Sequence, residues 1–187
     1  MRSNSFIMLP GDHKKWNVYR KSVIVCDVTE MFVRRYMTYS ARTAEQMRQA
    51  ARSCKQNLVE GVSDKTVSIE MRIKLLGVAL GSLRELAEDY GDFLRQNKFS
   101  TWPLEDPRTA RVRDYCRHDN DTEDFVAKCE KCSAETIANV MLVQCAQLGA
   151  MIGAVIKSVE KEFISAGGLK EQMSTVRRDW RKDNLGY

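Results

Sequence analysis

Between Met47 and Leu94 apolar residues recur at helical spacing in two separate runs with a glycine between them. Met47, Ala50, Ala51, Cys54 and Leu58 form the first stripe, and Ile69, Ile73, Leu76, Leu80, Leu83, Ala87, Tyr90 and Leu94 form the second. Steps of three and four residues place such side chains on one face of a helix, the face that must be buried. Thr43 followed by Gln46 reads as a capping box opening the first of these helices. Gly61 reads as its left-handed C-cap, and the polar stretch 62–67 as the connection, with Thr66 or Ser68 capping the next helix. A hairpin of two one-sided helices cannot bury both stripes by itself, so the chain needs further helices.

Those helices are legible on either side. From Lys15 to Tyr36, Trp16, Tyr19, Val23, Cys26 and Phe32 keep helical spacing, flanked by Lys14, Arg20, Lys21, Arg34 and Arg35. Trp102-Pro103 and Pro107 break the pattern, and two short helices are expected at 109–117 and 122–131. Ser133 is the expected N-cap of a last long helix, followed by a short one from Leu169 to about Lys182. Gly77 and Gly81, four residues apart, are expected to admit a neighbouring helix closely. The reading is all-α: an antiparallel up-and-down four-helix bundle with short accessory and C-terminal helices. Residues 1–14 form a loose arm, and 15–187 one domain with core helices at about 15–37, 43–60, 66–97 and 133–166.

The last long helix is unusual. From Ile137 to Ile156 twenty residues pass without a formal charge, interrupted only by Asn139, Gln144 and Gln147 among stronger polar groups. Its length would suit a membrane span. The glutamines, the many alanines and glycines and the lack of flanking aromatics argue instead for a soluble helix buried on more than one side. Burial of its second face against another subunit, with Gly149 and Gly153 allowing close contact, is the expected arrangement, and the chain is expected to be a homo-oligomer away from membranes. No sustained apolar segment stands near the N-terminus, and six cysteines accompany no secretion signal, so a cytoplasmic protein with reduced thiols is expected.

Charge is distributed unevenly. Residues 1–60 carry 11 basic and 5 acidic side chains, whereas residues 61–132 carry 12 and 14. Local positive charge attracts nucleic-acid phosphates. The candidate contact residues are Arg34, Arg35, Arg42, Arg48, Arg52, Lys55 and Arg72. No exposed aromatics interleave with them, so contact would be with the backbone and sensitive to salt. Against this stands the plainer reading of a solvated helix face.

Catalytic chemistry has little to work with. Of the two histidines, His13 lies in the arm and His118 in a turn, and no glycine-rich phosphate loop or Glu-x-x-His pair occurs. The chain is read as non-enzymatic and without cofactor. Cys116, His118, Cys129 and Cys132 have a donor set that a structural zinc ion would accept. The first half lacks the usual two-residue gap, and unpaired reduced thiols are the favoured reading. Glu85, Glu88, Asp89 and Asp92 read as a solvated acidic face, and Asn57 and Glu60 as a hydrogen-bonded helix end.

Several segments together resemble a known family. They are Gln46-Met47 through Ala50-Ala51-Arg52-Ser53, Lys55-Gln56-Asn57, Glu60-Gly61, Glu70 to Leu75, Ser82-Leu83 with Glu85-Leu86, and Asp89-Tyr90, followed by Ala138-Asn139 and Glu162-Phe163 with Gly167-Gly168-Leu169. The likeness runs from about Tyr19 to Arg181. It is to the four-helix-bundle proteins encoded in intervening sequences of bacterial 23S rRNA genes, in the branch with a C-terminal suffix segment. The resemblance implies an antiparallel bundle that assembles into rings, typically homopentamers. Related bundles serve as accessory factors of diversity-generating retroelements, where a basic surface meets nucleic acid and a reverse transcriptase, so RNA or DNA and a protein partner are the implied ligands. Cys54 and the cysteines of 116–132 depart from the family pattern. A structural oligomerisation module without nucleic acid, or a zinc-stapled adaptor, remains an alternative.

Overall fold

The computed structural model describes residues 17–63, 67–118, 121–166 and 169–185. Among them are seven helices and no strand: α1 (Asn17–Tyr36), α2 (Ala41–Ser63), α3 (Ile69–Gln96), α4 (Pro107–Arg117), α5 (Thr122–Glu130), α6 (Ala134–Ala166) and α7 (Leu169–Leu185). The expected arm 1–14, the helix start at Lys15-Trp16, Thr66 and the Gly167-Gly168 stop lie outside the described residues.

The helix ends follow from local chemistry. Ser68 accepts a hydrogen bond from the Met71 amide and caps α3. Asp106 and Asp121 cap α4 and α5, with Pro107 in the first turn of α4 where its missing N–H is not needed. Ser133 accepts from the Thr136 amide at 3.2 Å and so opens α6. At the end of α3, Lys98 takes the left-handed conformation (φ 57°) and lets the Phe99 amide reach back to Leu94 at 2.9 Å.

Two expectations at α2 need correction. Thr43 lies inside the helix rather than at its cap, because Ser40 upstream already accepts the Ala44 amide through its carbonyl and holds Thr43 by its hydroxyl. Gly61 also stays helical and α2 continues to Ser63. Its function is space. A Cβ there would stand 2.9 Å from Leu76 Cγ and 3.2 Å from the Arg72 carbonyl oxygen. The close approach expected at Gly77 and Gly81 is absent, since a Cβ at either would meet nothing within 4 Å. Leu76 and Ala79 take the inward positions of α3, and this phase turns Gly77 and Gly81 outward.

α1 packs on α2 and α6, and α3 on α2 and α6, while α4 covers part of α6 and α5 part of α1. Partners along α1 and α2 run in opposite order, Cys26 with Ala51 and Glu30 with Arg48. The same holds for α3 and α6, where Arg72 meets Glu162 and Asn139 meets the chain just beyond α3. Phe32 sits at the centre, its ring 5.0 Å from Tyr90 and 4.8 Å from Phe93 in edge-on contacts. The buried Tyr90 hydroxyl is satisfied by Thr29 at 3.0 Å. Asn139 fastens the segment after α3: its Oδ1 accepts from the Trp102 amide at 2.7 Å, and its Nδ2 donates to the Ser100 and Glu135 carbonyls at 2.9 Å.

Lys21, expected to flank the first stripe, is instead buried and donates to the Cys116 carbonyl. That carbonyl lies in the last turn of α4, where the helix dipole favours a cation. α6 is the one helix among the described residues long and apolar enough to cross a membrane, yet only 39 % of its most apolar window is buried. Leu148, Ile152 and Cys145 face inward; Ala146, Ala150 and Ala154 are exposed.

Candidate nucleic-acid interface

α1 and α2 cross antiparallel and leave a groove of about 730 Å³ between them. Three of the candidate cations, Arg48, Arg52 and Lys55, line it, because positions 48, 52 and 55 share the side of α2 that borders α1. Three carboxylates, Asp27, Glu30 and Glu45, line the same groove. Arg48 is held by Glu30, Nε to Oε2 at 2.7 Å and Nη2 to Oε1 at 3.4 Å, with Glu45 3.8 Å away. Lys55 acts electrostatically on Asp27, opposing the burial that raises the Asp27 carboxyl above its ordinary value. The floor includes Cys26, whose thiol donates to the Ala51 carbonyl at 3.3 Å and is pushed by burial up to about 11. The groove is thus close to charge balance, not the strongly positive trough its α2 residues alone would make.

The other candidates are dispersed. Arg35 donates to the Glu130 carbonyl at 2.7 Å and stacks over Tyr36, tying α1 to the end of α5. Arg72 bridges three helices: its Nε donates to the Gly61 carbonyl at 3.2 Å and its Nη1 contacts both Glu162 oxygens at 3.1 Å. With a side chain 14 % exposed, it is a structural tie. Arg34 and Arg42 are exposed on either side of the α1–α2 turn. Neither these two nor Arg52 takes part in a salt bridge among the described residues.

Comparison with known proteins finds no match among family models, curated proteins or solved structures.

The cysteine region does not assemble a metal site. Among the described residues no group of three or more His, Cys, Asp and Glu could hold a metal ion. His118 is exposed, whereas Cys116 and Cys129 are buried and the Cys132 thiol donates to the Lys128 carbonyl at 3.4 Å. Burial raises the Cys116 thiol to about 11 and the Cys129 thiol to about 12. The helical geometry of α4 and α5 turns Cys116 and Cys129 inward and leaves His118 beyond the end of α4.

Asn57 donates to the Ser53 carbonyl at 2.9 Å, but α2 continues to Ser63, so this bond lies inside the helix and not at the helix end expected for it. A second groove, of about 470 Å³, lies between α2 and α3 and gathers Glu85, Glu88, Asp89 and Asp92 opposite Gln46 and Gln49. Burial, then the neighbouring Asp92, Glu85 and Glu88, raise the Asp89 carboxyl above its ordinary value. The sequence placed these four on one helix, but the wall contributed by α2 depends on packing across the hairpin.

Proposed function

We propose that this chain is a non-enzymatic, self-assembling scaffold whose helices α1, α2, α3 and α6 form an up-and-down four-helix bundle, a member of the 23S rRNA intervening-sequence family that it resembles. The observation that carries the reading is the outer face of α6. Ala146, Ala150 and Ala154 are exposed there, and a Cβ at Gly153 would meet nothing within 4 Å. Water gains little from so uncharged a helix face, and a second copy covering it recovers the hydrophobic free energy of its burial. Small side chains let two backbones approach closely. Rings of the kind found in the family are one form such an assembly takes.

Sedimentation equilibrium of the full chain tests this. The wild type is expected to be oligomeric at micromolar concentration, and Ala150→Arg is expected to be monomeric with unchanged helix content. A monomeric wild type, or partition of the chain into detergent micelles through α6, would refute the proposal.

A second reading, RNA binding, is favoured by Arg34, Arg42 and Arg52, which are exposed and outside the salt bridges of the described residues. Assembly would multiply this modest basic surface around a ring. Affinity for structured RNA is expected to fall with salt and on Arg34→Glu/Arg42→Glu. Affinity indifferent to both would remove it.

A further inference from the structure

α7 is a helix without a berth. Every described side chain from Met173 to Asn184 is exposed, including Met173 (53 %), Val176 (69 %) and Trp180 (59 %). These three are spaced three and then four residues apart, so they form one apolar line along the helix. Arg177 and Arg181 follow them by one residue and border that line on one side; neither joins a salt bridge among the described residues. A bulky apolar line edged with guanidinium groups calls for a shallow groove with carboxylates along its rim.

The chain contains one. Met71, Val78, Glu85 and Asp92 are seven residues apart along α3 and therefore lie on nearly one line. The line begins with exposed apolar groups and ends with carboxylates. Beside its second half the α2–α3 groove is floored by Ala50, Ser53 and Ser82, with the two serine hydroxyls already bonded to each other at 2.9 Å. The floor therefore has little unmet polarity, while Glu85, Glu88 and Asp89 form no salt bridge among the described residues. Seven residues separate Met173 from Trp180 and Val78 from Glu85, the same rise of roughly 10 Å.

We infer that α7 of one copy lies in the α2–α3 groove of a second copy, parallel to α3, with Met173 on Val78, Trp180 over the small-residue floor, and Arg177 and Arg181 against Glu85, Glu88 and Asp89. In its own chain α7 stands clear of this groove. The match in charge selects a second copy over a lipid surface, because an anionic bilayer would also meet Asp179 and Asp183 on the other border of the same line. The contact extends the self-assembly reading but uses a different face from α6, so either can fail without the other.

Carbodiimide cross-linking of the full chain, in an equimolar mixture of heavy-nitrogen and unlabelled protein, tests the contact. With Arg177→Lys, which puts a reactive amine on the border facing the groove, this position is expected to couple to Glu85, Glu88 or Asp89, with mixed-isotope pairs at the statistical frequency. The yield is expected to drop about tenfold when Arg181→Glu is added. The link should survive in Ala150→Arg, which removes only the α6 contact. Cross-links confined to one isotope would mean docking within a chain and overturn the inference. So would absence of the link, or its loss together with binding of the chain to phosphatidylserine vesicles.

Discussion

Gly61 and Leu76 stand so close across the α2–α3 hairpin that a single added methyl at Gly61 would lie 2.9 Å from Leu76 Cγ. Leu76 is fully buried and the Arg72 carbonyl oxygen would stand only 3.2 Å away, so neither the side chain nor the backbone has room to yield. Gly61→Ala is expected to destabilise the fold by about 1–3 kcal/mol through overpacking. Gly77→Ala, in open space, is expected to stabilise it by roughly 0.5–1 kcal/mol through helix propensity. Urea denaturation of both variants checks the contrast, and equal effects would contradict the assigned packing.

Arg72 gives a second expectation. Because its guanidinium joins the end of α2 to α3 and α6, Arg72→Ala is expected to cost about 1 kcal/mol, mostly through the half-buried bond to the Gly61 carbonyl. The exposed Glu162 adds little to that figure. Arg72→Lys restores little, since an ammonium cannot serve both partners in the forked geometry. If RNA binding is found, Arg72→Ala should leave the affinity unchanged at matched stability; a loss would return Arg72 to the interface.

Asn139 supports the whole crossing from α3 to α4. Replacing it with Ala orphans the Trp102 amide and the Ser100 carbonyl and is expected to cost about 2 kcal/mol. The Trp102 indole, which Arg108 covers at 4.6 Å, should become more exposed. A red shift in the tryptophan emission of Asn139→Ala, absent in a control lacking Trp102, is the readout.

The buried thiols predict how stability responds to alkali. Burial raises Cys26 and Cys116 to about 11 and Cys54 and Cys129 to about 12, from an ordinary 9.0. Below pH 9 these thiols are protonated in both folded and unfolded chains and do not change stability with pH. Above it the unfolded chain loses protons first, so stability falls as pH rises towards the folded values. Each thiol removes up to about 1.4 kcal/mol per pH unit in that window. Urea midpoints flat from pH 8 to 10 would contradict the burial. Cys132, the one cysteine not fully buried, is expected to alkylate first at neutral pH.

Asp89 titrates with the same charge change and the same logic. Its folded carboxyl is raised, so the ionised form is disfavoured in the folded chain and the penalty grows as pH rises through the folded value. Asp89→Asn is expected to stabilise the protein at pH 7 and to have little effect at pH 3, where the wild-type carboxyl is protonated anyway. Denaturation at both pH values decides it.

Much of the helical framework is legible in one dimension because helical stripes and caps are local. Ile69 to Leu94 and Ser133 each declare themselves within a few residues. What escapes is whatever depends on the phase of a neighbour. Gly61 looked like a stop because glycine commonly is one, but the nearby Leu76 makes it a spacer. Arg48 looked free because Glu30 is on another helix. Lys21 looked solvated because α4, which accepts its hydrogen bond, follows about ninety residues later in the chain. The candidate interface was therefore the least legible part, since a cation's availability depends on distant carboxylates.

The place of α6 in the order of synthesis has a consequence of its own. α1 and α3 each bury a face on α6, yet α6 is made after α4, α5 and the connecting segments. At ordinary translation rates the ribosome needs roughly 4–14 s to extend from the end of α3 to the end of α6. Throughout that interval Leu80 and Leu83 of α3, which pack beside Gly149 of α6, lack their final partner, and the emerging chain is at its most adhesive to chaperones and to other nascent copies. Translation speed between codons 97 and 166 thus becomes a determinant of how much of this protein reaches its folded state.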